Sequence, residues 1–352
     1  MEFSLCYFAS YAGGDAADRY RLLTEGARFA DRSGFTAVWT PERHFGDFGG
    51  LYPNPSLTSA ALATITERVQ LRAGSVVLPL HDPIRVVEEW SVVDNLSRGR
   101  VGVSVASGWH ATDFVLAPQH YERRRAVMRE GIETVRRLWS GGSVRRPGGS
   151  GQEVEVRTLP RPVQAELPLW ITAAGSPDTF RLAGELGAGL LTHLLGQSVE
   201  QLAGKVRAYR EAWRGAGHGP GTGHVTVMLH TYLGEDPESV LAAVREPLGR
   251  YLRSSLDLMG SQLRELGHGQ VLDELSEDEA AAVLEYARAR YLRHGGLVGT
   301  EETCAEMVAR LRGIGVDELA CLIDFGLDTA SVLAGLERLA ALSRRMRALP
   351  VP

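Results

Sequence analysis

Eight times along these 352 residues a short, nearly all-apolar run gives way to a longer stretch with apolar residues at helical spacing. The runs are residues 3–8, 35–40, 69–78, 101–107, 167–174, 189–194, 225–233 and 319–325. A strand that is apolar on both faces must be covered on both, as it is in a parallel sheet flanked by helices. Eight such units call for a sheet closed into a parallel barrel with its helices outside. An open doubly wound sheet is the alternative fold, disfavoured by the strand count and by the lack of a Gly-x-Gly-x-x-Gly turn after any early strand.

The intervening helices carry their own punctuation. A pattern over 20–32 ends at Gly34, Pro53-Asn54-Pro55 opens a helix through Leu62, and Asp82-Pro83 starts another that ends near Gly99. Residues 121–139 form a long amphipathic helix, Ser176-Pro177 starts the next, and Ser198 with Gln201 makes a capping box for a helix to Trp213. A closing helix covers 331–349. Two segments exceed the scaffold of this single domain, 1–352. Glycine-rich 141–151 and alternating 153–159 read as an added hairpin, about 141–160, with no Gly-Lys-Ser/Thr to make a phosphate loop. The connection before the last strand is far longer than usual and holds helices after Pro237 and after Ser276. Its part from about 247 to 299 reads equally as a lid over the barrel mouth or as an oligomer contact.

Hydrophobic residues at 44% and charged residues at 23% match a globular chain with ample core. A formal charge of −5 argues against a general nucleic-acid binder. Cys6, Cys304 and Cys321 are far apart, which fits a reducing cytoplasm and neither a disulfide nor a metal framework. The start of the chain lacks the pattern of a signal peptide, and no apolar run reaches bilayer-spanning length, so the expected location is cytoplasmic.

Barrels place their chemistry at the carboxyl ends of the strands. There the sequence puts Glu42, Arg43 and His44 after the second run, and Ser107 to His110 after the fourth. Gly175 and Ser176 follow the fifth run, with His193 and His230 on the sixth and seventh. A metal hydrolase would use several such histidines, but there is no His-x-His on the first strand and no His-x-x-x-His on any helix. A Schiff-base aldolase needs a lysine at a strand end, and the sole lysine, Lys205, falls inside a surface-patterned helix. Ala174-Gly175-Ser176-Pro177, with Thr179, offers backbone N–H groups and hydroxyls to an anion, although plain N-capping explains Ser176 as well and Asp178 would repel phosphate.

Taken in order, WTPERHF, YPNP, VVLPLHDPIRVVEEWSVVDNLSRGR, ASGWHATDF, PLWITAAGSPDTF and ELACLIDFG resemble the bacterial luciferase-like flavin monooxygenases across nearly the whole chain. The branch they are most similar to is associated with polyketide and nonribosomal-peptide biosynthesis. That resemblance implies a TIM-type (β/α)8 barrel, FMN supplied as FMNH2 by a separate flavin reductase, dioxygen as co-substrate, and oxygen transfer through a flavin peroxide. The implied substrate is an organic natural-product intermediate, free or tethered to a carrier protein, oxygenated by hydroxylation or Baeyer–Villiger insertion. A homodimer is the implied assembly, and a deazaflavin-dependent oxidoreductase of the same fold is the second reading.

By matching motif, Ser75, Val76 and Val77 lie against the isoalloxazine, at a bulge that in relatives often holds a non-prolyl cis peptide. Ala106, Ser107 and Trp109 line the flavin, Ala174, Gly175, Ser176 and Thr179 hold its phosphate, and Thr192 with His193 flank the ring. Some relatives have an arginine at the position of Ser107, so weaker flavin binding is implied here. Luciferases read Glu-His-His-Phe where this chain reads Glu42-Arg43-His44-Phe45. Arg43 therefore replaces the histidine tied to their chemistry. His44, Arg43, Glu42 and His110 are the candidate catalytic residues: His44 to bond the reacting group, Arg43 to stabilise negative charge or Glu42. The stretch from Tyr291 to Leu297 replaces a region richer in Ser and Thr in relatives, implying a different substrate preference.

Overall fold

The computed structural model describes residues 1–8, 18–47, 49–219, 221–265, 289, 291–292 and 295–348. Eight parallel strands form the barrel: β1 (Glu2–Cys6), β2 (Ala37–Thr40), β3 (Gln70–Val77), β4 (Val101–Ala106), β7 (Leu169–Thr172), β8 (Gly189–His193), β9 (Val225–Leu233) and β11 (Glu318–Leu322). They pair in chain order, β11 pairs with β1 from Glu2↔Glu318 to Cys6↔Leu322, and β8 pairs with β9 from Leu190↔Val225 onward. The β9 to β11 pairing completes the ring. The expected closed barrel is therefore the fold, and the open sheet is excluded.

Outside run α1 (Arg21–Ser33), α2 (Pro55–Ala63), α3 (Pro83–Ser97), α4 (Arg124–Trp139), α5 (Pro177–Glu185), α6 (Val199–Gly215), α7 (Pro237–Glu265), α8 (Glu301–Gly313) and α9 (Thr329–Ala348). Their ends follow the local chemistry. Asn54 and Asp82 accept the N–H groups of Ser56 and Ile84, and the Ser198–Gln201 box is reciprocal. Differences from the sequence reading are local. The helix read from 121 begins at Arg124, because 3-10 turns at Ala111–Leu116 and Pro118–His120 precede it. The α7 helix runs unbroken through Pro247, where the lid was expected to begin. The helix expected after Ser276 lies outside the described residues. The α8 helix and the short β10 (Leu297–Gly299), which pairs in parallel with the end of β9, are additional to the reading. An exposed antiparallel pair, β5 (Val144–Pro147) with β6 (Glu153–Val156), stands apart from the barrel sheet. No helix among the described residues is long and apolar enough to cross a membrane.

One apolar layer fills the space between strands and helices. A second fills the barrel, where Cys6, Trp39, Trp170, Leu191, Ala320 and Leu322 join Val244, Leu248, Tyr251 and Leu252 of α7. The α7 helix thus packs its apolar face into the carboxyl end of the barrel. At the other end Arg72 is sandwiched between the rings of Trp39 and Trp170, at 4.9 and 4.4 Å. Arg72 donates to the fully buried Glu318 at 2.8 Å, and Glu318 also accepts from Trp39 Nε1 at 3.1 Å, His224 at 2.9 Å and the Ser4 hydroxyl. Burial opposes ionisation of Glu318, but Arg72 and these donors override it and hold its pKa far below the usual range.

Candidate active site

After β2 the chain turns through Pro41 to Phe45, pinned by the Arg43 N–H donating to Tyr52 O at 2.9 Å. Glu42 points inward and is buried. Its Oε2 accepts the Val77 N–H at 2.7 Å, while its Oε1 faces Nε2 of His44 at 2.9 Å and Nε2 of His81 at 2.6 Å. Burial works against the Glu42 charge, yet the bonds from His44 and His81 lower its pKa on balance. An ionised carboxylate only accepts, so both imidazoles carry hydrogen on Nε2, and Nδ1 is the His44 atom left for proton chemistry. Burial likewise opposes a charged His81, and Glu42 outweighs it, raising the His81 pKa. Sequence reasoning passed over His81, although it lies within the quoted stretch beginning VVLPLHDP, just before a strong helix start.

Arg43 turns the other way. Its Nη1 lies 3.7 Å from Asp113 Oδ2, and its guanidinium stands 5.0 Å over the Trp109 ring. Of the two roles expected for Arg43, the pairing with a neighbouring carboxylate falls to Asp113 and not to Glu42. Asp113 also meets His110 Nδ1, at 3.3 Å, which joins Arg43 to His110 through one buried carboxylate. Burial depresses the Arg43 pKa and Asp113 opposes that shift. Gly108 makes the loop possible: its φ is +79°, and a Cβ there would lie 2.7 Å from the Phe114 ring and 2.9 Å from Val77. Beside this wall lies an open cleft of about 530 Å³ lined by Arg43, His44, Phe45, Gly46, Asp47, Gly50 and Pro53.

The end of β3 is bulged. Its register with β4 shifts between Gly74 and Val76, and the Gly74–Ser75 peptide is cis, as the resemblance implied. Ser75 Oγ lies 2.5 Å from Thr172 Oγ1, which lies 2.6 Å from Ser104 Oγ, so three strands share a chain of hydroxyls. Val76 and Val77 are buried, and Ala106 and Ser107 are half-buried at the end of the neighbouring strand.

Across the mouth, Ala174, Gly175 and Ser176 are exposed at the start of α5. The Ser176 hydroxyl makes no capping bond, and a Cβ on Gly175 would meet nothing within 4 Å. Thr179 is half-buried one turn on, its N–H bonded to Ser176 O at 3.1 Å. Asp178, the residue expected to repel an anion, is paired with Arg181 at 2.7 Å. Gln197 ties this turn to the next strand end, donating to His193 O at 2.5 Å, Ala174 O at 3.3 Å and Thr192 Oγ1 at 3.5 Å. Its oxygen accepts from Lys205 Nζ at 2.8 Å. An open helix start with an uncommitted hydroxyl and a nearby ammonium fits a phosphate group, and the β3 bulge facing it fits a flat ring system.

His230, one of the strand-end histidines noted from the sequence, and Asp324, which stood outside the candidates, complete the rim. Burial keeps His230 neutral, its pKa pushed down to about 3. Asp324 accepts the Phe8 N–H at 2.5 Å and the Tyr52 hydroxyl at 3.3 Å. Burial, then the charge of Asp324, raises the Tyr52 pKa. The signal for Asp324 was present, a carboxylate interrupting the apolar run in ELACLIDFG. Among the described residues, one trio has the spacing to hold a metal, Glu2, His224 and Glu318. It lies at the opposite end of the barrel, with Glu318 already neutralised by Arg72.

The luciferase-like monooxygenase family model matches residues 1–318. The oxygenase component of a flavin-dependent trigonelline monooxygenase from Acinetobacter baylyi is 27% identical over 326 residues, covering 91% of this chain and 88% of that one. Among solved structures, monooxygenase RslO1 from Streptomyces bottropensis superposes with a TM-score of 0.79 at 24% identity, over 99% of this chain and 100% of that one. The oxygenating constituent of 3,6-diketocamphane monooxygenase from Pseudomonas putida, a type II Baeyer–Villiger enzyme in complex with FMN, gives 0.78 at 19% identity, over 100% and 99%. A family match across nine-tenths of the chain, on a barrel whose mouth gathers the motifs quoted from the sequence, makes this protein a member of the luciferase-like flavin monooxygenases.

Proposed function

We propose that the chain is the oxygenase of a two-component system. It takes FMNH2 from a separate reductase and uses dioxygen to oxygenate an organic intermediate, carrier-tethered or free. The observation that carries this reading is the convergence, on one barrel rim, of the Glu42–His44 pair, the β3 bulge and the open start of α5. Bound reduced FMN supplies the electrons that activate dioxygen. Ser176, Thr179 and the backbone at Gly175 hold its phosphate, with Lys205 close by through Gln197. Ser75, Val76 and Val77 form the platform for the ring, with Ala106, Ser107 and Trp109 beside it and Thr192 and His193 opposite.

Glu42 fixes this platform to the chemistry, since the same carboxylate grips the Val77 N–H and His44. With Nε2 committed to Glu42, His44 Nδ1 exchanges a proton with the reacting oxygen. Arg43, held by Asp113 and Trp109, faces negative charge that develops in the cleft, and His110 steadies Asp113. The α7 helix, with Tyr251, keeps water from the mouth, as a lid would. The three cysteines are buried and free, in keeping with a cytoplasmic enzyme, and the working assembly is a homodimer.

Anaerobic titration with FMN, FMNH2 and a deazaflavin tests the cofactor. FMNH2 is expected to bind most tightly, and a preference for the deazaflavin would replace this reading with hydride transfer. His44→Ala is expected to lower the oxygenation rate by about 10²–10⁴-fold while FMNH2 still binds, measured as ¹⁸O incorporation from labelled dioxygen.

A further inference from the structure

Two imidazoles share one oxygen of Glu42. His81 Nε2 lies 2.6 Å and His44 Nε2 2.9 Å from the same Oε1, while Oε2 is taken by the Val77 N–H. One carboxylate offsets one positive charge. Were both rings doubly protonated, two cations would meet across a single oxygen where water hardly reaches, since the Glu42 side chain is 1% exposed. One ring at most therefore keeps a lasting charge, and the surroundings select it. The His81 side chain is 32% exposed and that of His44 is 11%, so water supports a cation on His81 far better. Burial still works against a charged His81, but Glu42 and then Glu89 of α3 outweigh it. Glu89 is itself bonded by Ser56 and Arg85, Asp82 is occupied in capping α3, and His120 is turned to Pro79 O. On the other side of Glu42, His44 lines the cleft together with Arg43 and Asp47.

We propose that His81 is a positioning residue that carries the positive charge of this trio, and so keeps His44 a neutral imidazole whose bare Nδ1 takes protons from the cleft. The inference rests on the oxygenase reading and deepens it by fixing the direction of proton transfer. An O–H bond of a bound reactant breaks, an N–H bond forms at Nδ1, and the electron pair stays on the oxygen. The imidazolium so formed shares Oε1 with charged His81, and their repulsion sends the proton on to water, which readies His44 again. Glu42 with His44 alone would do the opposite, for an uncompensated carboxylate would hold that histidine charged, as an acid.

Imidazole charge can be read without flavin or turnover. ¹⁵N resonances of labelled histidine in the full-length protein, followed across pH, should show His81 as the more charged ring at neutral pH and His44 neutral with its hydrogen on Nε2. His81→Gln keeps an N–H for Glu42 but no charge. In it the ratio of charged to neutral His44 at a given pH should rise about tenfold, the effect of one pH unit of differential interaction. His81→Lys restores a cation and should return His44 to the neutral form, a reversal that lost packing would not produce. His44 as the more charged ring in the unmodified protein, a His44 charge indifferent to His81→Gln, or one raised equally by His81→Gln and His81→Lys would each overturn the proposal. Anaerobic titration with FMNH2 is run alongside. Failure of the unmodified protein to bind it would sink the oxygenase reading, and the resonances would still decide which histidine carries the charge.

Discussion

Glu42 serves three donors from one buried carboxylate, and it favours the charged form of one of them, His81. Its folded pKa is below the ordinary 4.5, so its stabilising share is present above that pH and is lost as acid protonates it. The folded pKa of His81 is above the ordinary 6.5, so its share is complete below that pH and fades as pH rises through the folded value. His81→Gln should therefore lower the melting temperature most between those two values, with the gap to the parent closing toward alkaline pH, as thermal scans across the range would show. Glu42→Gln replaces an acceptor with an amide that must turn one N–H toward a donor, and should cost about 1–3 kcal/mol in urea unfolding. At this scale the sequence was half legible. Glu42, Arg43 and His44 stand out because they break an apolar run. His81 and Asp113 do not, because each gains its role from a partner 39 or 70 residues away that no local pattern names. The same limit explains the Arg43 correction, since spacing does not say which wall a loop side chain faces.

Among the elements, the loop after β4 is the least forgiving. Gly108→Ala would combine a positive φ with a clash against Phe114 and Val77, and is expected to cost about 1–3 kcal/mol and to disturb Trp109. Ser198→Ala removes one side of the capping box of α6 and should cost about 1 kcal/mol, with circular-dichroism melts as the check. The strands were legible because parallel barrel strands must be apolar on both faces, and β9 was read to its full extent, 225–233. Their ends were not, for a strand ends where its pairing ends: β7 keeps four residues, Leu169–Ile171 paired with β4 and Trp170–Thr172 with β8. The α8 helix did announce itself, with Thr300 capping before Glu301 and Glu302, but the long insertion around it hid the signal. A three-residue strand such as β10 carries no period at all.

For the molecule as a whole, the two ends of the barrel do different work. The amino end is closed by Arg72 and Glu318 between two indoles, so Arg72→Met should strand a buried carboxylate and cost about 3–5 kcal/mol in urea unfolding. Arg72→Met with Glu318→Gln should recover much of that loss. The carboxyl end holds the exposed turn at α5 and the only lysine of the 352 residues. Burial lowers the pKa of Lys205, which leaves a larger fraction of free amine at neutral pH. An acylating dye, offered to the whole chain, thus finds a single side-chain amine, one glutamine away from the turn that would grip a phosphate. The α-amine of Met1 is the competing group; once peptide mapping has separated the two products, a fluorophore could be planted at the mouth without mutagenesis, and its brightness would follow what comes and goes there.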